Sequence, residues 1–290
     1  GWRAPKTNCL IDNNHRKIKM NLLNEFKNKM GMYDTLIEFQ ELSLRYFIKN
    51  GQNNISTFIK EQSLNLGVAF NPSSYTEAQK LIYRNSISMV CNTFDSYLRN
   101  LTQEILLIND INVEENEEYR RDNQKEDGFD YIIRIINKIY KKTLLKTDKN
   151  NLYYKIITHY KNIRDEFTHP HIKNNEKANL TLDSKYNKQF KELYPDFIQI
   201  LDITHTILDF DDFILLSKTC LAFGEIIFIE SRTKNVDYYI KFLEQNSSLF
   251  IKYNNNLERK KNSMAIFLTT HYNLEYSFAI TVAENYLSAS

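Results

Sequence analysis

The sequence predicts an all-α protein. In 290 residues there are only 6 Gly and 4 Pro, too few to punctuate a turn-rich β-fold. The long stretches that lack both carry apolar side chains at three- and four-residue spacing, the period of a helix with one buried face. A chain of this length has material for one large domain or two modest ones.

The elements follow in order. Residues 1–30 read as an N-terminal lead, either disordered or a cloning remnant, and Gly1-Trp2-Arg3-Ala4-Pro5-Lys6 lacks the apolar run of a signal peptide. The first helix is expected over 32–49, with Leu36, Ile37, Phe39, Leu44, Phe47 and Ile48 on its apolar face and Asn50-Gly51 as its stop. A short helix is expected over 56–66. Asn71-Pro72-Ser73-Ser74 marks a boundary, after which Ser74 or Thr76 can cap a long helix over 76–108. Residues 109–128 are acidic and then mixed in charge, the composition of an exposed connector, and a helix follows over 129–142. The segment 151–168 carries Leu152, Ile156, Ile157, Tyr160, Ile163 and Phe167 at helical spacing. A polar loop is expected over 173–185, then helices over 186–208, 210–230, 235–252 and 258–287. No internal repeat or low-complexity tract occurs.

Composition excludes several classes. A net charge of +2 is too small to imply nucleic-acid binding by itself. The 19 Tyr and 18 Phe serve core packing first, although exposed Tyr can stack on bases. Cys9, Cys91 and Cys220 are scattered and odd in number, which fits neither a disulfide framework nor a zinc site and suits a reducing, cytoplasmic setting. The most apolar window, 213–229, is interrupted by Lys218, Gly224 and Glu225, so it reads as a buried helix and not a membrane span. No phosphate-binding Walker loop, dinucleotide glycine fingerprint or Gly-x-Ser-x-Gly elbow is present. His15, His205 and His271 are isolated and read as structural or exposed. Lys141-Lys142 and Arg259-Lys260-Lys261 are short basic patches of the kind that solvate helix ends, though they could also guide phosphates.

One stretch concentrates chemistry: Arg164-Asp165-Glu166-Phe167-Thr168-His169, at the end of a helix and just before Pro170. A guanidinium holds phosphate through a planar fork of donors, and an imidazole moves protons near neutral pH. Together they suffice for metal-free cleavage of RNA, whose own 2′-hydroxyl is the nucleophile. Arg164 and His169 point about 140° apart on an ideal helix, so the long Arg side chain and the helix end at Pro170 must bring them together. Negative charge on the last carbonyls of the helix favours a protonated His169. Asp165 lies four residues before His169 on the same face and can orient the imidazole; the alternative is that Asp165 and Glu166 only pair with Lys161, Arg164 or Lys173 at the surface. His169-Pro170-His171 beside Glu166 and His159 lacks the ligand spacing of a zinc site, so no metal and no cofactor is expected, and His171 is at most a phosphate contact.

Arg164 and His169, with Asp165 after the Arg, resemble the Arg-x4-6-His signature of the HEPN superfamily of helical-bundle proteins. Upstream, Phe94-Asp95-Ser96-Tyr97-Leu98 resembles the Phe-acid-Ser-Tyr-Leu element that several of its families carry on the preceding helix. The resemblance covers residues 75–175. It implies a HEPN-like helical bundle over 31–175, leaving 176–290 as a C-terminal helical extension packed on it. It further implies a metal-independent endoribonuclease that leaves 2′,3′-cyclic phosphate and 5′-hydroxyl ends, acting as a toxin or an abortive-infection, anti-phage effector. Arg164 and His169 would be catalytic, with Asp95 supporting them from the preceding helix. The partners so implied are RNA, a second copy in a homodimer that pairs two sites, and an antitoxin or defence-system protein. The competing expectation is a non-catalytic helical module for binding or dimerisation.

Overall fold

A computed structural model describes residues 22–51, 54–69, 75–122, 126–168, 178–232, 235–272 and 274–289. Among these residues there is no strand, and the helices are α1 (Leu22–Gly51), α2 (Ile55–Leu66), α3 (Tyr75–Ile108), α4 (Gly128–Tyr140), α5 (Asp148–Thr168), α6 (Ser184–Leu193), α7 (Phe210–Glu230), α8 (Val236–Gln245), α9 (Leu257–Tyr272) and α10 (Tyr276–Ala289). Among the described residues no helix is long and apolar enough to cross a membrane.

Helix α3 is the axis of the larger core. It packs against α1, α4, α5 and α7, and α7 in turn packs on α1 and α5. The centre is aromatic: Phe94 and Phe129 have ring centroids 5.5 Å apart, as do Phe129 and Phe223, while Phe26 stacks on Tyr97 at 4.4 Å. Such pairs add directional preference to large apolar burial. Leu180, Phe190, Phe197 and Ile200 join the same cluster, and the expected boundary at 175/176 lies outside the described residues. A second cluster holds Tyr239, Phe242, Phe250, Met264, Leu268 and Val282, contributed by α8, α9, α10 and the short 3-10 segment Ser247–Tyr253. Arg232, at the exit of α7, reaches toward it: its guanidinium lies 3.8 Å over Phe228 and 5.7 Å from the Tyr272 ring, and its Nη1 donates to Glu104 on α3 at 2.9 Å.

Several element boundaries differ from the sequence expectation, each for a local reason. Helix α1 already includes residues 22–31, ahead of the expected start at residue 32, because Leu22, Leu23, Phe26 and Met30 are buried against the main cluster. The expected boundary at 30/31 therefore falls inside a helix. The single helix expected over 186–208 is α6 followed by a 3-10 stretch, Pro195–Leu201, since Pro195 has no N–H to continue an α-helix. The span 235–252 divides at Asn246, whose Nδ2 donates to the Phe242 carbonyl and competes with the helix ladder. The span 258–287 is two helices, α9 and α10, folded back to bury Ala279, Val282 and Ala283 with Met264 and Leu268.

Gly224 sits in the middle of α7, where glycine normally weakens a helix by about 1 kcal/mol relative to alanine. Its role is steric: a Cβ there would stand 2.9 Å from Phe26 Cε1 and 3.3 Å from Tyr97 Cε1. The absent side chain lets both rings reach the α7 backbone, where the Tyr97 hydroxyl donates to the Gly224 carbonyl at 2.9 Å. We predict that Gly224→Ala, which improves helix propensity, nevertheless destabilises the protein by about 1–3 kcal/mol through overpacking. Urea unfolding followed by circular dichroism measures it, and a stabilised variant would contradict this account of the close approach.

Candidate active site

The cluster grows out of α5. Its apolar stripe, Leu152, Ile156, Ile157, Tyr160 and Ile163, faces the core as the spacing predicts, with Phe167 partly buried beyond it. Lys161 and Arg164, one turn apart, share the edge of that stripe where α5 runs past Asp95 of α3. Lys161 is 4% exposed, and its ammonium donates to Asp95 Oδ1 at 2.7 Å and to Asp127 Oδ1 at 2.8 Å. Asp127 is also the N-cap of α4, accepting from the Phe129 amide at 2.7 Å, so one carboxylate both starts that helix and ties it to α5.

Arg164 takes the other oxygen of Asp95: its Nη1 donates to Asp95 Oδ2 at 2.8 Å and stands 3.4 Å from Asn92 Oδ1. Nε and Nη2 both point to Asp165 Oδ1 at 2.8 Å. The structure thus joins Arg164, Asp95 and Asp165. Asp165 is engaged with Arg164, one of the surface partners the sequence allows for it. His169 and His171 lie outside the described residues, as does part of the expected 173–185 loop.

The electrostatics follow from this packing. Burial alone would lower the Lys161 pKa, but Asp95 and Asp127 outweigh it and hold the ammonium above its ordinary value. Burial would raise the Asp127 pKa; Lys161 and the Phe129 amide reverse that and hold it below the usual carboxylate range. The Arg164 guanidinium, desolvated but bonded to Asp95, is likewise held above its ordinary value. Two cations face three carboxylates, so these five residues carry one net negative charge. Burial pushes the neighbouring Cys91 thiol up to about 12, which removes it as a thiolate nucleophile near neutral pH.

The cluster lines a cleft of about 870 Å³ between α3, the connector after it, α4 and α5. Arg99, Arg121 and Tyr131 line the same cleft. Two contributions to the cluster differ from the sequence expectation. Lys161, expected as a surface partner for acids, is the buried centre of the network, and Asp127, expected within an exposed connector, is its second anchor. The available signal is the i, i+3 pairing of Lys161 with Arg164 at the margin of an apolar stripe.

A second polar cluster lies where α7 begins. His205 Nε2 is 2.9 Å from Asp212 Oδ2, and the fully buried Asp212 also accepts from the Tyr160 hydroxyl at 2.7 Å. His205, Asp209 and Asp212 have ligand atoms within 4.8 Å of one another, a spacing that would admit a metal ion. Asp212 Oδ2 also accepts from the Asp209 amide, and Asp209 Oδ1 from the Asp211 and Asp212 amides, closing a capping box. These bonds account for the cluster as the cap of α7, with His205 as a clamp on the preceding turn. His159, considered above as a metal neighbour of His169, instead bonds the Ala178 carbonyl at 3.0 Å, and burial lowers its pKa. The basic patches are partly neutralised, Lys142 by Glu230 at 2.6 Å and Lys261 by Glu258 at 3.0 Å.

Compared with known proteins, the chain matches no family model, no curated sequence and no solved structure.

We predict that Lys161→Met destabilises the protein by about 1–3 kcal/mol. The substitution removes the cation shared by Asp95 and Asp127; Asp95 keeps Arg164, and both carboxylates retain some contact with solvent. Chemical denaturation at neutral pH reads the change; a difference below about 1 kcal/mol would mean that the ammonium does not hold α3, α4 and α5 together.

Proposed function

We propose that the protein is a metal-independent endoribonuclease of HEPN type, in which Arg164 holds the scissile phosphate and His169 transfers protons. The observation that carries this reading is Arg164 itself: a guanidinium anchored in a cleft by an acid from the preceding helix, with its Nε and Nη2 edge turned to a residue able to leave. Asp95 is held from two sides by Lys161 and Arg164, whereas Asp165 is held by Arg164 and is 42% exposed in its side chain. A phosphate displacing Asp165 would meet two parallel donors, the fork geometry that suits it. Asp165 would then be released toward position 169, one turn on, to orient the imidazole.

The chemistry balances without a metal. The 2′-hydroxyl gives up its proton to a neutral imidazole and its oxygen attacks the adjacent phosphorus. The bond to the 5′-oxygen breaks, and a protonated imidazole supplies that oxygen with a proton. The products are a 2′,3′-cyclic phosphate and a 5′-hydroxyl. One His cannot be acid and base at once, so two copies of the site, paired in a homodimer along α5, supply both roles. A toxin or anti-phage effector of the cytoplasm, restrained by an antitoxin or other defence-system protein, is the setting we assign to this activity.

One observation favours a second reading. The five-residue cluster is net negative and most Arg164 donors are engaged, which suits a structural ion network in a non-catalytic binding or dimerisation module. Labelled RNA incubated in EDTA separates the two. We predict cleavage by the parent, none by His169→Ala with melting unchanged, and a loss of about tenfold or more in single-turnover rate for Arg164→Lys, because an ammonium keeps the charge and loses the fork; tenfold is about 1.4 kcal/mol of transition-state stabilisation. Intact RNA with the parent protein would leave the binding module standing; parental rates in both variants would remove Arg164 and His169 from the mechanism. We also predict a dimer by sedimentation velocity at micromolar concentration; a fully active monomer would refute the paired-site mechanism.

A further inference from the structure

We infer that Arg99 and Arg121 form a second phosphate-binding subsite in the same cleft, one that grips the RNA strand beside the cleavage position. The inference rests on the reading of the cleft as an RNA site. It starts from which charges in the cleft are already engaged. Asp95 and Asp127 are bonded to Lys161, Asp165 to Arg164, and Glu126 to Arg134 through both oxygens at 2.7 and 2.8 Å. Arg99 and Arg121 have no carboxylate partner among the described residues. The cleft is therefore divided: a net negative end around Arg164, and a positive stretch where two guanidinium groups stand uncompensated.

Arg99 follows Asp95, the acid that holds Arg164, by one turn of α3, an axial step of about 6 Å comparable to the spacing of successive phosphates in an extended strand, and Arg99 and Arg164 line the same cleft. Arg121 lines the cleft from the connector. Its Nε donates to the Glu126 carbonyl at 3.1 Å, and its Nη2 lies 3.9 Å from where a Cβ on Gly128 would be, so the guanidinium rests over the amino end of α4. Val113 and Tyr131 line the same cleft and offer partly exposed apolar surface to a base. Phosphate contacts of this kind hold backbone and carry no base identity, so the subsite confers grip without sequence preference.

The test measures binding without cleavage. A fluorescent single-stranded oligonucleotide, 2′-O-methylated throughout so that no nucleophile is present, is titrated with the full-length protein across a salt series. Arg99→Gln alone and Arg99→Gln/Arg121→Gln should each weaken binding, on the order of tenfold for the pair and equally for different sequences, and should reduce the salt slope by about 0.7 for each phosphate no longer neutralised. Arg99 makes no hydrogen bond or ion pair among the described residues, so its single variant reports on binding even if the Arg121 change disturbs the connector. Parental affinity and slope in both variants overturn the subsite, and if the parent still cleaves ordinary RNA they do so without touching the cleavage reading. Binding that weakens as expected in the variants, by a parent that leaves ordinary RNA intact, supports the subsite and refutes cleavage alone. No binding by the parent overturns both.

Discussion

The burial of one ammonium organises this molecule. Lys161 faces the interior of the bundle, where an unpaired cation would be strongly disfavoured, so two carboxylates must converge on it from other elements. One comes from mid-α3 and the other from the N-cap of α4. Meeting both demands at once sets the relative placement of α3, α4 and α5, and it leaves the second oxygen of Asp95 directed at Arg164. The candidate active site is thus a by-product of satisfying a buried charge, and the apolar stripe of α5 supplies the force that keeps that charge inside.

The aromatic core obeys a similar logic of forced approach. Phe26 and Tyr97 come close to α7 only because position 224 has no side chain, and Tyr97 uses that access to bond the helix backbone. Tyr97 lies half a turn from Asp95 on α3, so the face that packs and the face that carries chemistry are the two sides of one helix. Behind them, the Arg232 and Glu104 pair lies between the main cluster and the one built by α8, α9 and α10. Both partners are nearly buried, which makes the pair a fixed strut in place of an exchangeable surface ion pair.

The helical class, the long α3 and the buried stripe of α5 were legible in the sequence because periodicity reports a face directly. Arg164 and Asp95 were legible as candidates, and the structure brings them within a hydrogen bond. Lys161 was not, because a lysine at the edge of an apolar stripe reads as a solvated cation unless the opposing acids are known, and those come from 66 and 34 residues away. Asp127 hid for the same reason inside a charged connector. The turns of α1 before residue 32 were missed because Leu22 and Leu23 follow a polar lead, and only the tertiary partners of Phe26 and Met30 reveal that these residues are helical and buried. Breaks at Pro195 and Asn246 depend on local side-chain competition that a smooth apolar period overrides.

The two acids bonded to Arg164 are alike in type and unlike in freedom. Asp95 is clamped between two cations on separate residues, so moving it would strand the Lys161 ammonium. Asp165 is the immediate sequence neighbour of Arg164, half exposed, and its release strands nothing but itself in solvent. An anion competing for the guanidinium must therefore enter at the Nε and Nη2 edge and displace Asp165, while Asp95 continues to hold Nη1. The same asymmetry explains how a net negative cluster can serve a polyanion on the proposed reading: the carboxylate that must move is the one that water can accept. On that reading Arg99 and Arg121, which have no carboxylate partner among the described residues, would attract a strand by charge before Arg164 has to be unmasked.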